Sequence, residues 1–198
     1  MTTTNQAKFT DQNPIQQWLI RHFQQRFIAL LKTVQPRSIL EVGCGEGYLL
    51  NVLRQEFTNV NARGLDVNDR ALAEGKRLFP FLDLRPGDIY QIPETDRSWD
   101  VVIASEVLEH LDRPSEALRE LGRVADRYVL LTVPNEPWFR LGNLGRGRHL
   151  KRFGNHPEHV NLWSKSSFAS FVSKTLKPTR ITGSFPWTIV LAEPLDRQ

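Results

Sequence analysis

The sequence predicts an α/β sandwich built on a mostly parallel sheet. Three observations predict it. From residue 37 onward, short apolar runs of strand length alternate with segments of helical periodicity. A glycine-rich turn, Gly43-Cys44-Gly45-Glu46-Gly47, separates the first such run from the helix after it. The run over 99–108 is apolar almost throughout, the pattern of a strand buried on both faces. The 198 residues suit one domain, since single cores extend to roughly 250 residues. No repeat, low-complexity tract or linker divides them, so one domain over 1–198 is expected.

The elements follow in order. Residues 1–12 read as a flexible tail. Asn13-Pro14 starts a helix, with Pro at the first helical position. Ile15, Trp18, Leu19, Phe23, Phe27, Leu30, Leu31 and Val34 then recur at helical spacing, and Pro36 stops the helix predicted for 13–34. Strand one is 37–42, followed by a helix over 47–57. Strand two is 60–67, and Asn68 caps the helix over 68–79. Segment 81–88 is a third strand with its exit turn, and 99–108 is the fourth. Asp112 and Pro114 open a helix to 124, and 127–135 is the fifth strand. An irregular region, 134–164, precedes a helix over 164–176. Segments 179–185 and 187–194 form a closing hairpin that adds an antiparallel element.

Apolar content of 40% and charged content of 24% are ordinary for a soluble globular protein. The net charge of +4 admits an anionic acceptor, an acidic lipid surface or nucleic acid, and requires none of them. A single cysteine, Cys44, allows no intramolecular disulfide and no Cys-based zinc site, which fits a reducing, cytoplasmic setting. The polar N-terminal stretch lacks the basic start and apolar core of a signal peptide. No apolar run approaches the ~20 residues that span a bilayer. Peripheral membrane contact stays open.

Strand, glycine turn, helix is a geometry that brings a ligand close to backbone. The spacing here is not the dinucleotide-binding G-x-G-x-x-G, because the third glycine comes one residue early. No Gly-Lys-Ser/Thr follows, so it is not a phosphate loop. Glu46 inside the turn would repel a pyrophosphate, and a phosphate-free cofactor carrying positive charge fits better. This sets a nucleotide dehydrogenase well behind. Asp66, at the end of strand two, can accept hydrogen bonds from both ribose hydroxyls. Asp88, after strand three, can accept from an adenine amino group, with Ile89 packing on the ring. Each Asp taken alone could equally be a turn or helix cap.

The segments ILEVGCGEGYLL, GLDVN, GDIYQIP and WDVVIASEVLEHL together resemble the successive cofactor motifs of class I S-adenosylmethionine-dependent methyltransferases. The similarity runs over residues 37–133 in sequence order, and the strand pattern extends it to the end. It implies a Rossmann-like three-layer sandwich with a seven-stranded, mostly parallel sheet whose last strand is antiparallel. It implies S-adenosylmethionine as cofactor, with Asp66 on the ribose, Val67 among the contacts, and Asp88 and Ile89 at the adenine. Gly43 and Gly45 would lie by the methionine portion, with Gly47 completing the turn, and Glu41 would support the amino end. Ser105 and Glu106 would flank the transferred methyl.

Methyl transfer needs an aligned acceptor and exclusion of water, and a hydroxyl acceptor usually needs a general base. The Asn/Asp-Pro-Pro-Tyr/Phe string of enzymes that methylate base amino groups is absent after strand four, which disfavours that reaction and a nucleic-acid partner. SEVLEHL stands there instead, supplying Glu106, Glu109 and His110. With His156 or His159 this cluster could hold a divalent metal, and in that motif it resembles the small-RNA 3′-terminal 2′-O-methyltransferases. The same string resembles ubiquinone-biosynthesis O-methyltransferases, and Glu109 and His110 could simply orient the next helix. We expect no metal, with the metal-assisted RNA enzyme as one alternative and a non-catalytic cofactor-binding scaffold as another.

Region 134–164 is too long for a bland connection. It carries Trp138, Phe139, Phe153 and Trp163, and the positive charges Arg140, Arg146, Arg148, Lys151 and Arg152 with no acid among them. After strand five it should serve as a lid and acceptor platform for a small-molecule or lipid-linked acceptor; a solvated basic helix is the plainer alternative. His156, His159 and Asn161 stand close together in it. His159 is the first candidate for a base and His110 the second, with Glu109 beside it.

Overall fold

The computed structural model describes residues 13–138 and 160–195. A long helix, α1 (Pro14–Val34), precedes alternating strands and helices: β1 (Ser38–Val42), α2 (Tyr48–Glu56), β2 (Asn61–Asp66), α3 (Asp69–Leu78), β3 (Asp83–Pro86) and β4 (Trp99–Ser105). A single 3-10 turn (Leu108–His110), α4 (Pro114–Val124), β5 (Ala125–Pro134), α5 (Lys165–Val172), β6 (Leu176–Ser184) and β7 (Trp187–Pro194) complete it. The caps of α1 and α3 are those the sequence suggests, whereas α4 has Arg113 rather than Asp112 at its N-cap, with no side-chain cap bond. The Asn13 side chain accepts from the Ile15 and Gln16 amides, and the Asn68 side chain from those of Arg70 and Ala71.

The seven strands form one sheet in the order β3-β2-β1-β4-β5-β7-β6. β1 to β5 run parallel, and β7 is antiparallel to both β5 and β6. Strand alternation sorts side chains onto two faces. Leu40, Val42, Val102, Ala104, Leu131 and Val190 pack with α4 and α5. Ile39, Val101, Ile103, Leu130, Ile189 and Leu191 pack with Phe23, Phe27 and Leu31 of α1 and Leu49 and Leu53 of α2. Helices on both faces make the expected three-layer sandwich.

Several boundaries differ from expectation, β6 starting at Leu176 rather than 179 among them. β4 stops at Ser105 rather than 108, because Glu106 takes a left-handed backbone (φ 60°) and turns the chain off the sheet. α5 ends at Val172, well before 176, because Leu176 is buried against the sheet and pairs with Pro194. Pro178 then lies inside β6, where the register shifts; an edge strand tolerates a residue without an N–H. β5 begins at Ala125, directly at the end of α4.

Candidate active site

A cavity of about 660 Å³ opens along the carboxyl edge of β3, β2, β1 and β4, where α/β sheets place their ligands. Its walls come from the loop after each strand in turn. After β1 come Gly43 and Gly45 of the glycine turn. Gly43 has φ +80°, and a Cβ there would lie 2.4 Å from a Val107 methyl, so the β1 and β4 loops meet only because the side chain is missing.

After β2 comes Asp66. One carboxylate oxygen accepts the Gly45 amide at 2.7 Å and the other accepts the Asn68 amide at 2.8 Å. Two backbone donors therefore fix its orientation at the cavity wall. Val67 beside it is 78% exposed, an apolar side chain held out at the cavity with little packed around it. After β3 come Asp88, whose carboxylate accepts the Tyr90 amide at 2.9 Å, and buried Ile89. Arg123 anchors this loop by donating to the carbonyls of Ile92 and Glu94 and pairing with Asp96 and Glu120. After β4 come Glu106, Val107 and His110.

The remaining sequence candidates lie off the wall. Gly47 is the left-handed N-cap of α2. The Ser105 hydroxyl bonds to Thr132 on β5 at 2.9 Å. Glu41 is buried beneath the glycine turn, and one of its oxygens has no hydrogen-bond partner among the described residues. Burial first, and then the negative Asp66 nearby, push the Glu41 carboxyl up to about 8, against a hydrogen bond from the Leu50 backbone. Cys44 packs among Leu50, Leu72, Leu82 and Leu84, and burial pushes its thiol well up, so it is core rather than nucleophile.

Of the candidate bases, His110 is exposed and lines the cavity. Glu109 is 1% exposed and lies behind the wall. His159 falls outside the described residues, as do His156, Phe139, Phe153 and the five cations of 140–152. Among the described residues, no three His, Cys, Asp or Glu side chains gather in a way that could hold a metal ion.

Two residues that sequence reasoning did not rank matter here. The Asn161 side chain donates to the carbonyls of Leu108 and Leu111, at 3.2 and 2.6 Å, and its amide donates to the Glu109 carbonyl at 3.0 Å. It thereby ties the returning chain to the turn that carries His110. The Trp187 indole donates to the Glu106 carboxylate at 2.7 Å, across 81 residues of sequence. Asn161 stands out in the sequence only as a neighbour of the histidines, and nothing in the sequence pairs Trp187 with Glu106.

The donor set tests the cofactor. Asp66, Asp88 and Glu106 contribute carboxylates to the wall, and no Lys or Arg lies among its described residues. Such a site repels a pyrophosphate and suits a nucleoside with a cationic tail, as adenosylmethionine is. Asp66, Asp88, Ile89 and Val67 would hold its adenosine part, whereas Glu41 lies beneath the turn and off the cavity wall.

A mostly parallel sheet with an acid-lined cavity at the carboxyl edge of β3, β2, β1 and β4 is the setting in which α/β folds hold nucleoside cofactors. The methyltransferase-domain family model matches residues 15–175, and the chain belongs to that family. A probable S-adenosylmethionine-dependent methyltransferase of Mycolicibacterium smegmatis is 32% identical over 127 residues, covering 63% of this chain and 48% of that one. A malonyl-(acyl-carrier protein) O-methyltransferase of Halalkalibacterium halodurans is 27% identical over 93 residues, covering 44% of this chain and 34% of that one. The chain thus spans about half or less of these relatives' length. Magnesium protoporphyrin IX methyltransferase from Synechocystis, solved with bound SAH, shares the fold at a TM-score of 0.69 and 18% identity, over 94% of this chain and 91% of that one.

Proposed function

We propose that this chain is an S-adenosylmethionine-dependent methyltransferase that methylates an oxygen of a small-molecule or lipid-linked acceptor. The observation that carries the reading is the cavity itself. It runs from Asp88 past Asp66 to Glu106 with carboxylates along it and no described Lys or Arg. Adenosylmethionine supplies an electrophilic methyl on a sulfonium, and its transfer to an acceptor oxygen leaves a neutral thioether. The chain's own part is to hold the nucleoside through Asp66 and Asp88 and to keep water from the β4 end with Val107 and Leu111. His110 is the described cavity residue able to take a proton from a hydroxyl. The similarity to a malonyl-(acyl-carrier protein) O-methyltransferase supports a carrier-borne acceptor and transfer to oxygen. No helix among the described residues is long and apolar enough to cross a membrane.

Calorimetry tests the cofactor half. Adenosylmethionine should bind the wild type, and Asp66→Ala should bind it about ten- to a hundredfold more weakly, the size of lost hydrogen bonds to a charged group. Absence of binding to the wild type overturns the reading. Methyl transfer that a chelator abolishes would move the reaction to the metal-assisted alternative.

A further inference from the structure

We propose that Trp187, which lies outside the cavity wall, is the positioning residue for the Glu106 carboxylate, and that this pair makes the site prefer a sulfonium cation over the neutral thioether it becomes. The proposal rests on the adenosylmethionine reading above. It starts from the order of the strands. Asp88 and Ile89 follow β3, Asp66 follows β2, the glycine turn follows β1, and Glu106 follows β4, and the sheet sets these four side by side. If the nucleoside lies over β3 and β2, its charged tail extends toward β4 and Glu106.

Glu106 is held there from three sides. Its backbone adopts φ 60°, a conformation that side-chain-bearing residues seldom take, and this lifts it off the strand direction. Its amide donates to the Thr132 carbonyl at 3.0 Å, which fixes the peptide. Its Oε2 accepts the Trp187 Nε1 proton at 2.7 Å, a charge-assisted bond that fixes the carboxylate. Trp187 is fixed in turn. It begins β7, pairs with Pro134 across the sheet, and packs against Phe23 of α1 with the rings tilted and their centroids 5.1 Å apart. Any aromatic ring could fill that space. The indole differs from a phenyl ring by its N–H, and a buried N–H requires an acceptor.

A fixed carboxylate acts on the two forms of the cofactor unequally. Donor and by-product share the adenosine and amino-acid parts, and differ in the charge at sulfur. A carboxylate at that end of the cavity binds the cation more tightly and leaves the thioether alone, so it favours loading over product inhibition.

The experiment is calorimetry of S-adenosylmethionine and S-adenosylhomocysteine with the wild type, Glu106→Gln, Trp187→Phe and the double variant. In Glu106→Gln the preference for the cation should fall about tenfold, the size of one charge-assisted contact. Trp187→Phe keeps the ring against Phe23 and should lower the preference in the same direction by less. Adding Trp187→Phe to Glu106→Gln should leave the preference unmoved, because the indole acts through the carboxylate. A purely structural Trp187 would weaken both ligands equally or add its effect in the double variant, and either result overturns the proposal. An unchanged preference in Glu106→Gln overturns it while leaving the cofactor reading intact. A wild type that binds neither ligand overturns both. Should Trp187→Phe fail to fold, the indole N–H resonance of Trp187 serves instead: it should move upfield in Glu106→Gln, and a fixed resonance overturns the pairing.

Discussion

At the scale of single residues, the site is a set of acids with different surroundings. Asp66 is steered by two amides, Glu106 by an indole, and Glu41 sits buried with one oxygen that has no hydrogen-bond partner among the described residues. The Glu41 carboxyl, pushed up to about 8, makes a pH prediction with a definite sign. Unfolded, the group loses its proton near its ordinary value of 4.5; folded, it keeps it to about 8. Between those values the folded state binds more protons, so stability falls as pH rises, by at most about 1.4 kcal/mol per pH unit, and levels off above about 8. Urea denaturation of wild type and Glu41→Gln across this range should show the extra slope in the wild type alone, and parallel curves would contradict it. These acids differ in how legible they are in the sequence. Asp66 and Asp88 stand at strand ends, where the chain pattern marks them. The environment of Glu41 depends on the glycine turn folding over it, which no local pattern reports.

At the scale of elements, the 3-10 turn after β4 is held from outside itself. Its own bonds are few: His110 to Val107 and Leu111 to Leu108. Asn161 adds bonds to the carbonyls of Leu108, Glu109 and Leu111, and the Val160 amide adds one to Glu109. Asn161→Ala should leave the Leu111 carbonyl short of its donor and the Leu108 carbonyl with the Leu111 amide alone, and cost about 1–3 kcal/mol, with amide exchange rising across 108–111 before the rest of the sheet. Uniform exchange across the molecule would show that Asn161 does no more than add general stability. The turn also shows where sequence patterns run out. Val107 and Leu108 prolong the apolar run of β4, so periodicity carries the strand to 108, whereas the left-handed Glu106 ends it at Ser105. The α5–β6 boundary slips for a related reason: Leu176 completes the helical spacing but packs as a strand residue paired with Pro194. Where one residue satisfies two periodicities, tertiary packing decides.

At the scale of the whole molecule, the sheet is a plate between two apolar layers, and this is the part most fully written in the sequence. Val101 and Ile103 face one layer while Val102 and Ala104 face the other, so the unbroken apolar run of 101–104 already implies helices on both sides. The acceptor half is less legible, because residues 139–159 carry aromatics and cations without a period that would fix their partners. α1 joins the fold to the site. Its Phe27 and Leu31 are fully buried on the β1–β7 face, and its Phe23 backs the indole that holds Glu106. Removing the Phe27 side chain leaves a cavity in that layer and should cost about 3–5 kcal/mol. Typical domains have only about 5–15 kcal/mol in total, so Phe27→Ala should unfold at markedly lower urea. Its cavity residues are untouched, so adenosylmethionine at a hundred times its Kd should add about 2.7 kcal/mol to the variant and to the wild type alike. Denaturation curves with and without the cofactor measure both quantities. A cost below about 1 kcal/mol, the range of ordinary surface substitutions, would place α1 outside the core. A normal cost with no rescue would mean that the damage at Phe27 reaches the cavity through Phe23 and Trp187.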